Sequence, residues 1–302
     1  MTRAIVSGAS GWLGKSALHV LQDVKFSQSE IVALSSSRSR ITVESSSHDC
    51  LEASQLRPSS EAEVYIHTAF VTREHFQALG ESKYVEINKA IIASLIRNLE
   101  LVSPRSIVFV SSGVCTDERF LLNRDRSFMV YRDLKLHEAD TIRKAAEKLN
   151  ATVVEGVLFS ATGRYMKSPT SFAIGDIIQQ AIKGSVQLSS TSFVWRKYCD
   201  AVQFMRVLIQ NALDEKSLRI ESGGPLQEME ELARNCLMHL GLEREILRSQ
   251  NFDFESRPDL YFSKTNDYEA QLNDLEQTPL NIFEQISNVT VAMQRSVSRE
   301  FN

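Results

Sequence analysis

Short apolar runs alternate with longer amphipathic stretches through the first half of the chain. Ala4 to Ser7, Ile31 to Leu34, Val64 to Ala69 and Thr152 to Phe159 read as strands. So does SIVFVS, Ser106 to Ser111, which is apolar without alternation, as a parallel strand buried on both faces requires. Between them, Gly11 to Asp23, Tyr84 to Leu101 and roughly Val130 to Leu149 read as helices. In the second of these, Val85, Ile92, Leu95, Ile96 and Leu99 fall on one side. Strand and helix in alternation predict an α/β fold of Rossmann type, a doubly wound parallel sheet with helices on both faces.

The pattern loosens after about Gly163. Helices are expected over Phe172 to Lys183 and Asp200 to Ala212. LRIESGGP reads as a strand ending in a turn, and MEELARNCLMHLG as a helix closing on a glycine cap. The expected domains are a dinucleotide-binding Rossmann domain over 1–164, to which a segment near 190–214 returns, and a smaller α/β substrate-binding domain over 165–302. The serine-rich stretches at 35–40 and 44–49 read as loop around a β-turn.

Composition narrows the function more than the fold. With 34 basic and 38 acidic side chains the net charge is −4, too mild a surface to grip a nucleic-acid backbone. No run of about 18 apolar residues occurs, so no membrane span is expected. Cys50, Cys115, Cys199 and Cys236 lie far apart with no C-x-x-C pair and read as reduced thiols, so neither a disulfide frame nor a metal site is expected. The first strand begins almost at Met1 and leaves no room for a signal peptide, which makes the expected location cytoplasmic.

Candidate chemistry begins at IVSGASGWLGKS, where Gly8, Gly11 and Gly14 follow the first strand and open a helix. The first glycine permits the tight turn, the second lets a diphosphate approach the backbone, and the third lets helix pack on sheet. The helix N-terminus then offers N–H groups and its positive dipole end to the anion. NAD sites usually place an acid after the second strand, but this chain offers Ser35, Ser36, Ser37, Arg38, Ser39 and Arg40. Hydroxyls and a guanidinium suit a 2′-phosphate, so NADP(H) is favoured, with NAD(H) the alternative.

Downstream, the strand SIVFVSSGV ends in Ser111 and Ser112, and Tyr131 and Lys135 form a Y-x-x-x-K on the next helix. Residues four apart share a helix face, and an ammonium stabilises a phenolate whose ordinary pKa is about 10. With GASGWLG and VYIHTAF, these pieces resemble the extended short-chain dehydrogenase/reductase family, the branch of nucleotide-sugar epimerases, dehydratases and reductases. The resemblance covers nearly the whole chain, including YVEINKAIIASLI, where Asn88 matches a family asparagine, and CDAVQFMRVLI, where Asp200 opens a helix leading back to the core domain.

The resemblance implies that Tyr131 carries the proton, that Lys135 supports it and holds the nicotinamide ribose, and that Ser112, or else Ser111, bonds the substrate oxygen. It implies diphosphate contacts at Gly8, Ser10, Gly11, Trp12 and Leu13. Thr68, Ala69 and Phe70 are expected beside the adenosine and ribose, Asn88 among the cofactor-binding residues, and Phe159 against the nicotinamide. Ser160 and Arg196 are expected on the substrate side, the latter at a phosphate. The last strand departs from the family pattern at Val157, Ser160 and Thr162, where the sugar would bind.

The resulting expectation is an NADP(H)-dependent oxidoreductase that reduces a keto group, at C4, of a nucleotide-activated sugar. An epimerase or dehydratase that retains its cofactor is the alternative, and a non-catalytic dinucleotide sensor the alternative of another class. A homodimer is expected from the family. His67 reads as a packed or backbone-bonded core histidine, and Thr116-Asp117-Glu118 as a solvated turn.

Overall fold

The computed structural model describes residues 3–24, 26–58, 62–117, 120 and 125–300. Strand β1 (Ala4–Ser7) leads into helix α1 (Trp12–Asp23), and β2 (Ile31–Ser35) into a hairpin of β3 (Ser39–Val43) and β4 (Ser46–Glu52). Then come β5 (Val64–His67), the short α2 (Phe76–Leu79), α3 (Glu81–Val102), β6 (Ser106–Ser112), α4 (Arg126–Leu149) and β7 (Thr152–Leu158). They are followed by β8 (Ser160–Thr162), α5 (Ala173–Lys183), β9 (Val186–Leu188), β10 (Val194–Asp200), α6 (Ala201–Leu213) and β11 (Leu218–Glu221). The chain ends with β12 (Leu226–Glu228), α7 (Met229–Leu240), β13 (Ile246–Arg248), β14 (Asp259–Tyr261), α8 (Asp267–Asp274) and α9 (Ile282–Glu300).

The chain divides into two compact units, Met1–Leu158 with Phe204–Glu221, and Phe159–Gln203 with Ser222–Asn302. The first holds an 8-stranded sheet in the order β11-β7-β6-β5-β1-β2-β4-β3. Every neighbouring pair is parallel except β3 against β4. The chain winds one way from β1 to β2 and the other way from β5 onward, so the strand order reverses at β1. In such sheets the ligand crevice opens at that reversal, outside the carboxyl ends of the strands. One side of the sheet is sealed by Leu95, Leu99 and Val102 of α3 and Ala139, Ile142 and Ala146 of α4, packed on Ile5, Tyr65, Ile107 and Phe109. At the other edge α6 lies so near β7 that a Cβ on Gly156 would meet Leu208 at 2.4 Å.

The serine-rich stretch expected as loop forms the β3–β4 hairpin instead. Its turn is made by Glu44 at φ 49°, and Arg40 pairs with Asp49 across it at 2.7 Å. Ile41, Val43, His48 and Cys50 are buried and Leu51 packs at the margin of the core, too few apolar positions for a strand to stand out in the sequence.

In the second unit β10 pairs antiparallel with β12 and parallel with β14 and β8, and β9 pairs with β13. Ile282, Ile286, Val289 and Ala292 recur at helical spacing on α9, which packs on α5 and α7. Helix α7 ends on Gly241 in the left-handed conformation, φ 63°, as expected of its glycine. All four cysteines are free thiols. Among the described residues no helix is long and apolar enough to cross a membrane, and no cluster of side chains suits a metal.

Candidate active site

Gly8 leaves β1 at φ 78°, a conformation that side chains resist, and its missing Cβ would fall 2.5 Å from the Ala69 nitrogen. Thr68 locks the two strand ends together: its N–H and its hydroxyl both donate to the Ser7 carbonyl, each at 2.9 Å. Gly14 is closer still, since a Cβ there would sit 2.2 Å from the Gly8 oxygen. Gly11 differs, because its Cβ would meet the Gly8 oxygen alone, at 3.1 Å, and otherwise open space. Gly11 is also the N-cap of α1, with no capping side chain and no carboxylate in the first turn. The turn therefore has the form of an anion cradle: a groove a Cβ would fill, facing uncapped helical N–H groups. These residues fit a dinucleotide diphosphate at Gly8, Ser10, Gly11, Trp12 and Leu13.

Ser36, Ser37 and Arg38 make the tight turn between β2 and β3. The Ser35 hydroxyl donates to the Ser37 carbonyl at 2.5 Å, and Arg38 donates from Nε to Gln55 Oε1 at 3.0 Å, exposed. Thr68, Ala69 and Phe70 follow β5. Asn88 is fully buried behind them: it accepts from Val71 N at 2.9 Å and donates to the carbonyls of Val71 and Tyr84, each at 3.2 Å. It braces the loop from inside and has no surface to offer a ligand.

The end of β6 meets the first turns of α4. Asp125 caps that helix by accepting from Ser127 N at 2.9 Å, which sets where Tyr131 emerges. Burial pushes the Tyr131 phenol above its ordinary pKa, and the neighbouring Ser112 hydroxyl draws it down by less. Ser111 is instead the neighbour of the Cys115 thiol, which burial also raises. Of the two candidate serines, Ser112 is the one beside the tyrosine. The Thr116 hydroxyl folds back on the Gly113 carbonyl at 2.8 Å, and Glu118 lies outside the described residues.

Lys135 is less available than its spacing from Tyr131 suggests. Its ammonium donates to Glu138 at 2.8 Å and to the Val110 carbonyl at 3.0 Å, and it lies 3.9 Å over the Phe70 ring. Phe70 in turn packs edge-on against Tyr131, 5.7 Å between centroids. The other oxygen of Glu138 meets His67 Nε2 at 3.2 Å, and His67 Nδ1 bonds the Ser7 hydroxyl at 2.6 Å. Burial would raise Glu138, but Lys135 and His67 together hold it below the ordinary carboxylate range. His67 is buried, as expected, yet its partners are side chains that lead to Lys135. Sequence reasoning passed over Ser7 and Glu138. The available signal was spacing, since Glu138 lies three residues beyond Lys135 and so shares its helix face.

No family model matches the chain, and no curated protein sequence does. Solved structures do. A UDP-glucose-4-epimerase from Stenotrophomonas maltophila, with bound NAD and formylated UDP-arabinopyranose, superposes with TM-score 0.75 at 15% identity, over 99% of this chain and 100% of its own. A UDP-N-acetylglucosamine 4-epimerase from Bacillus cereus gives 0.72 at 15%, over 97% of each chain. The corresponding epimerase from Methanobrevibacter ruminantium M1, in complex with UDP-N-acetylmuramic acid, gives 0.72 at 15%, over 97% of this chain and 99% of its own.

The chain shares the fold of these epimerases. In that fold's second unit the remaining expected residues take these positions. Phe159 donates its N–H to Ser222 Oγ at 3.0 Å and stacks at a tilt on Tyr261, 5.2 Å away. Ser160 starts β8, paired with Tyr198 of β10. The Arg196 guanidinium donates to the Asp259 carboxylate at 2.9 Å and to its carbonyl at 3.0 Å, so a substrate phosphate would have to displace that carboxylate. Asp200 opens α6 by accepting from Val202 N at 2.9 Å and Gln203 N at 3.1 Å.

Proposed function

We propose that the protein is a nicotinamide-dinucleotide-dependent enzyme acting on a nucleotide-activated sugar, and that it epimerises the sugar by hydride transfer out and back at C4. One juxtaposition carries the reading: Ser112 at the end of β6 lies beside the Tyr131 phenol of α4, in the unit whose glycine turn has the form of an anion cradle. The epimerases that share this fold supply the sugar chemistry, and the absence of an external reductant in that chemistry suits a cofactor that stays bound.

Hydride transfer from the sugar carbon and back is the chemistry a bound dinucleotide would supply. Tyr131, as phenolate, takes the proton from the sugar hydroxyl and gives it back, with Ser112 orienting the same oxygen. The phenol keeps its own proton at neutral pH, so approach of the Lys135 charge must first favour the phenolate. Ser10, Trp12 and Leu13 would offer backbone N–H groups to the diphosphate, while Gly11, whose own N–H donates to the Gly8 carbonyl at 2.9 Å, leaves the space it would enter. Thr68, Ala69, Phe70 and Lys135 would hold the ribose, with Ser111 on the substrate side. A homodimer belongs to the same reading, supported by Met129 and Leu136, exposed seven residues apart on α4, and Leu101, exposed on α3.

A second reading has its own support. No carboxylate stands between Ser35 and Arg40, and Arg38 is exposed beside Ser36 and Ser37. This loop suits the 2′-phosphate of NADPH, and a 4-keto reductase consumes NADPH. The purified protein is to be tested for bound dinucleotide and then assayed on UDP-sugars with no added cofactor. Isomerisation without cofactor supports the epimerase. Turnover that requires NADPH and consumes it overturns that reading in favour of the reductase.

A further inference from the structure

Side chains from β1, β5 and α4 are hydrogen-bonded in series inside the first unit. Ser7 bonds His67 at 2.6 Å, His67 meets Glu138 at 3.2 Å, and Glu138 accepts from Lys135 at 2.8 Å. None of the four is more than 7% exposed. The two ends of the series are the strand end that opens the glycine turn and the lysine one helical turn beyond Tyr131. An ammonium has three donors. Lys135 gives one to Glu138 and one to the Val110 carbonyl, and turns its remaining charge toward the face of Phe70.

We propose that Glu138 is a positioning residue for the proton-transfer group: it fixes the Lys135 ammonium against Val110 and Phe70 and so withholds that charge from the Tyr131 phenol. The inference rests on the reading of Tyr131 as the proton-transfer group. A carboxylate and an ammonium in contact present little net charge to a third group, whereas a freed ammonium would favour phenolate. Glu138 also acts directly, since its negative charge raises the Tyr131 pKa. The other groups that bear on the phenol are Ser112 and Cys115 at the end of β6, Glu74 ahead of α2 and Tyr84 of α3, with Arg73 next to Tyr84. Glu138 itself faces Lys135 and His67. Substituting Glu138 therefore changes the one charge that controls both the lysine and, through it, the tyrosine.

The test is an ultraviolet tyrosinate titration of the wild type, Tyr131→Phe, Glu138→Gln and the double variant, with no dinucleotide or sugar present. Subtracting each phenylalanine partner isolates the ionisation of Tyr131. The expected result is a Tyr131 midpoint in Glu138→Gln at least about one pH unit below that of the wild type, a tenfold change in the ionisation constant. An unmoved or raised midpoint in a folded Glu138→Gln protein overturns the proposal. If Glu138→Gln does not fold, Glu138→Asp replaces it. Its shorter reach loosens the hold on Lys135 and is expected to move the midpoint the same way by less, and an unmoved midpoint again overturns the proposal. No ligand enters the titration, so its failure leaves the proposed function standing. Failure of the sugar assays likewise leaves the titration to be judged alone.

Discussion

Gly14 stands so close to Gly8 that a Cβ built on it would lie 2.2 Å from the Gly8 carbonyl oxygen, while a Cβ on Gly11 would clear the same oxygen by 3.1 Å. The two glycines therefore have separable duties. Gly14→Ala forces backbone apart and is expected to cost about 3 kcal/mol of stability, read as a lowered thermal midpoint. Gly11→Ala points its methyl into the cradle. It is expected to leave the thermal midpoint almost unchanged and to weaken dinucleotide binding at least about tenfold, or ~1.4 kcal/mol, in a fluorescence titration. A Gly11→Ala protein that binds NADH and NADPH as well as wild type would remove the diphosphate from this turn.

The place of Ser112 beside Tyr131 leads to a graded result in activity. Tyr131→Phe removes the proton carrier, and turnover is expected to fall by about 10²- to 10⁴-fold while dinucleotide affinity changes little. Ser112→Ala leaves the phenol in place and is expected to reduce turnover by less. Ser111→Ala, at a residue on the Cys115 side, is expected to have the smallest effect. Steady-state kinetics on the best substrate found would check this order, and a fully active Tyr131→Phe would refute the assignment.

The order of these residues along the chain was readable because each lies where a period changes. Gly8, Gly11 and Gly14 mark the switch from strand to helix, and Tyr131 and Lys135 share a face of the next long periodic stretch. What could not be read was anything held by tertiary contact alone. The β3–β4 hairpin has a polar face on a strand edge, so its serines look like loop. Arg196 looks available for a phosphate until Asp259, 63 residues away, is seen to occupy it. Asn88 and His67 show the same limit, since burial decides what they touch and spacing says nothing about burial. The second unit was the least legible, because β8, β9, β12, β13 and β14 have 3 residues each, too few to show a period.

Substitution of Arg38 tests the choice between the two cofactors. Arg38 is exposed and bound through Nε to a glutamine, an uncharged partner that a phosphate can outcompete. If the loop holds a 2′-phosphate, Arg38→Ala is expected to weaken NADPH by about tenfold to a hundredfold, ~1.4 to ~2.8 kcal/mol, and leave NADH unchanged. Equal affinities of the wild type for both dinucleotides, unaffected by the substitution, would count against the reductase. Titration of wild type and variant with each cofactor is sufficient.

Glu138 makes a prediction in acid. Its side chain is 1% exposed and that of Lys135 9%, so removing the carboxylate leaves a buried charge without its partner. At neutral pH Glu138→Gln is expected to cost about 3 to 5 kcal/mol. The sign of the pH effect follows from the depressed pKa of Glu138 in the folded chain: the unfolded chain takes up the proton first as the pH falls. The stabilisation from Glu138 is therefore complete above the ordinary glutamate value of about 4.3 and is lost as the pH falls from there through the lower folded value. Other depressed carboxylates, such as Glu30 and Asp49, weaken both proteins alike in acid. The diagnostic quantity is the difference between wild type and Glu138→Gln, measured by urea unfolding at a series of pH values. That difference is expected to be flat near neutrality and to close in acid. A difference that stays constant down to the acid limit would mean that the carboxylate of Glu138 contributes no charge to the folded state.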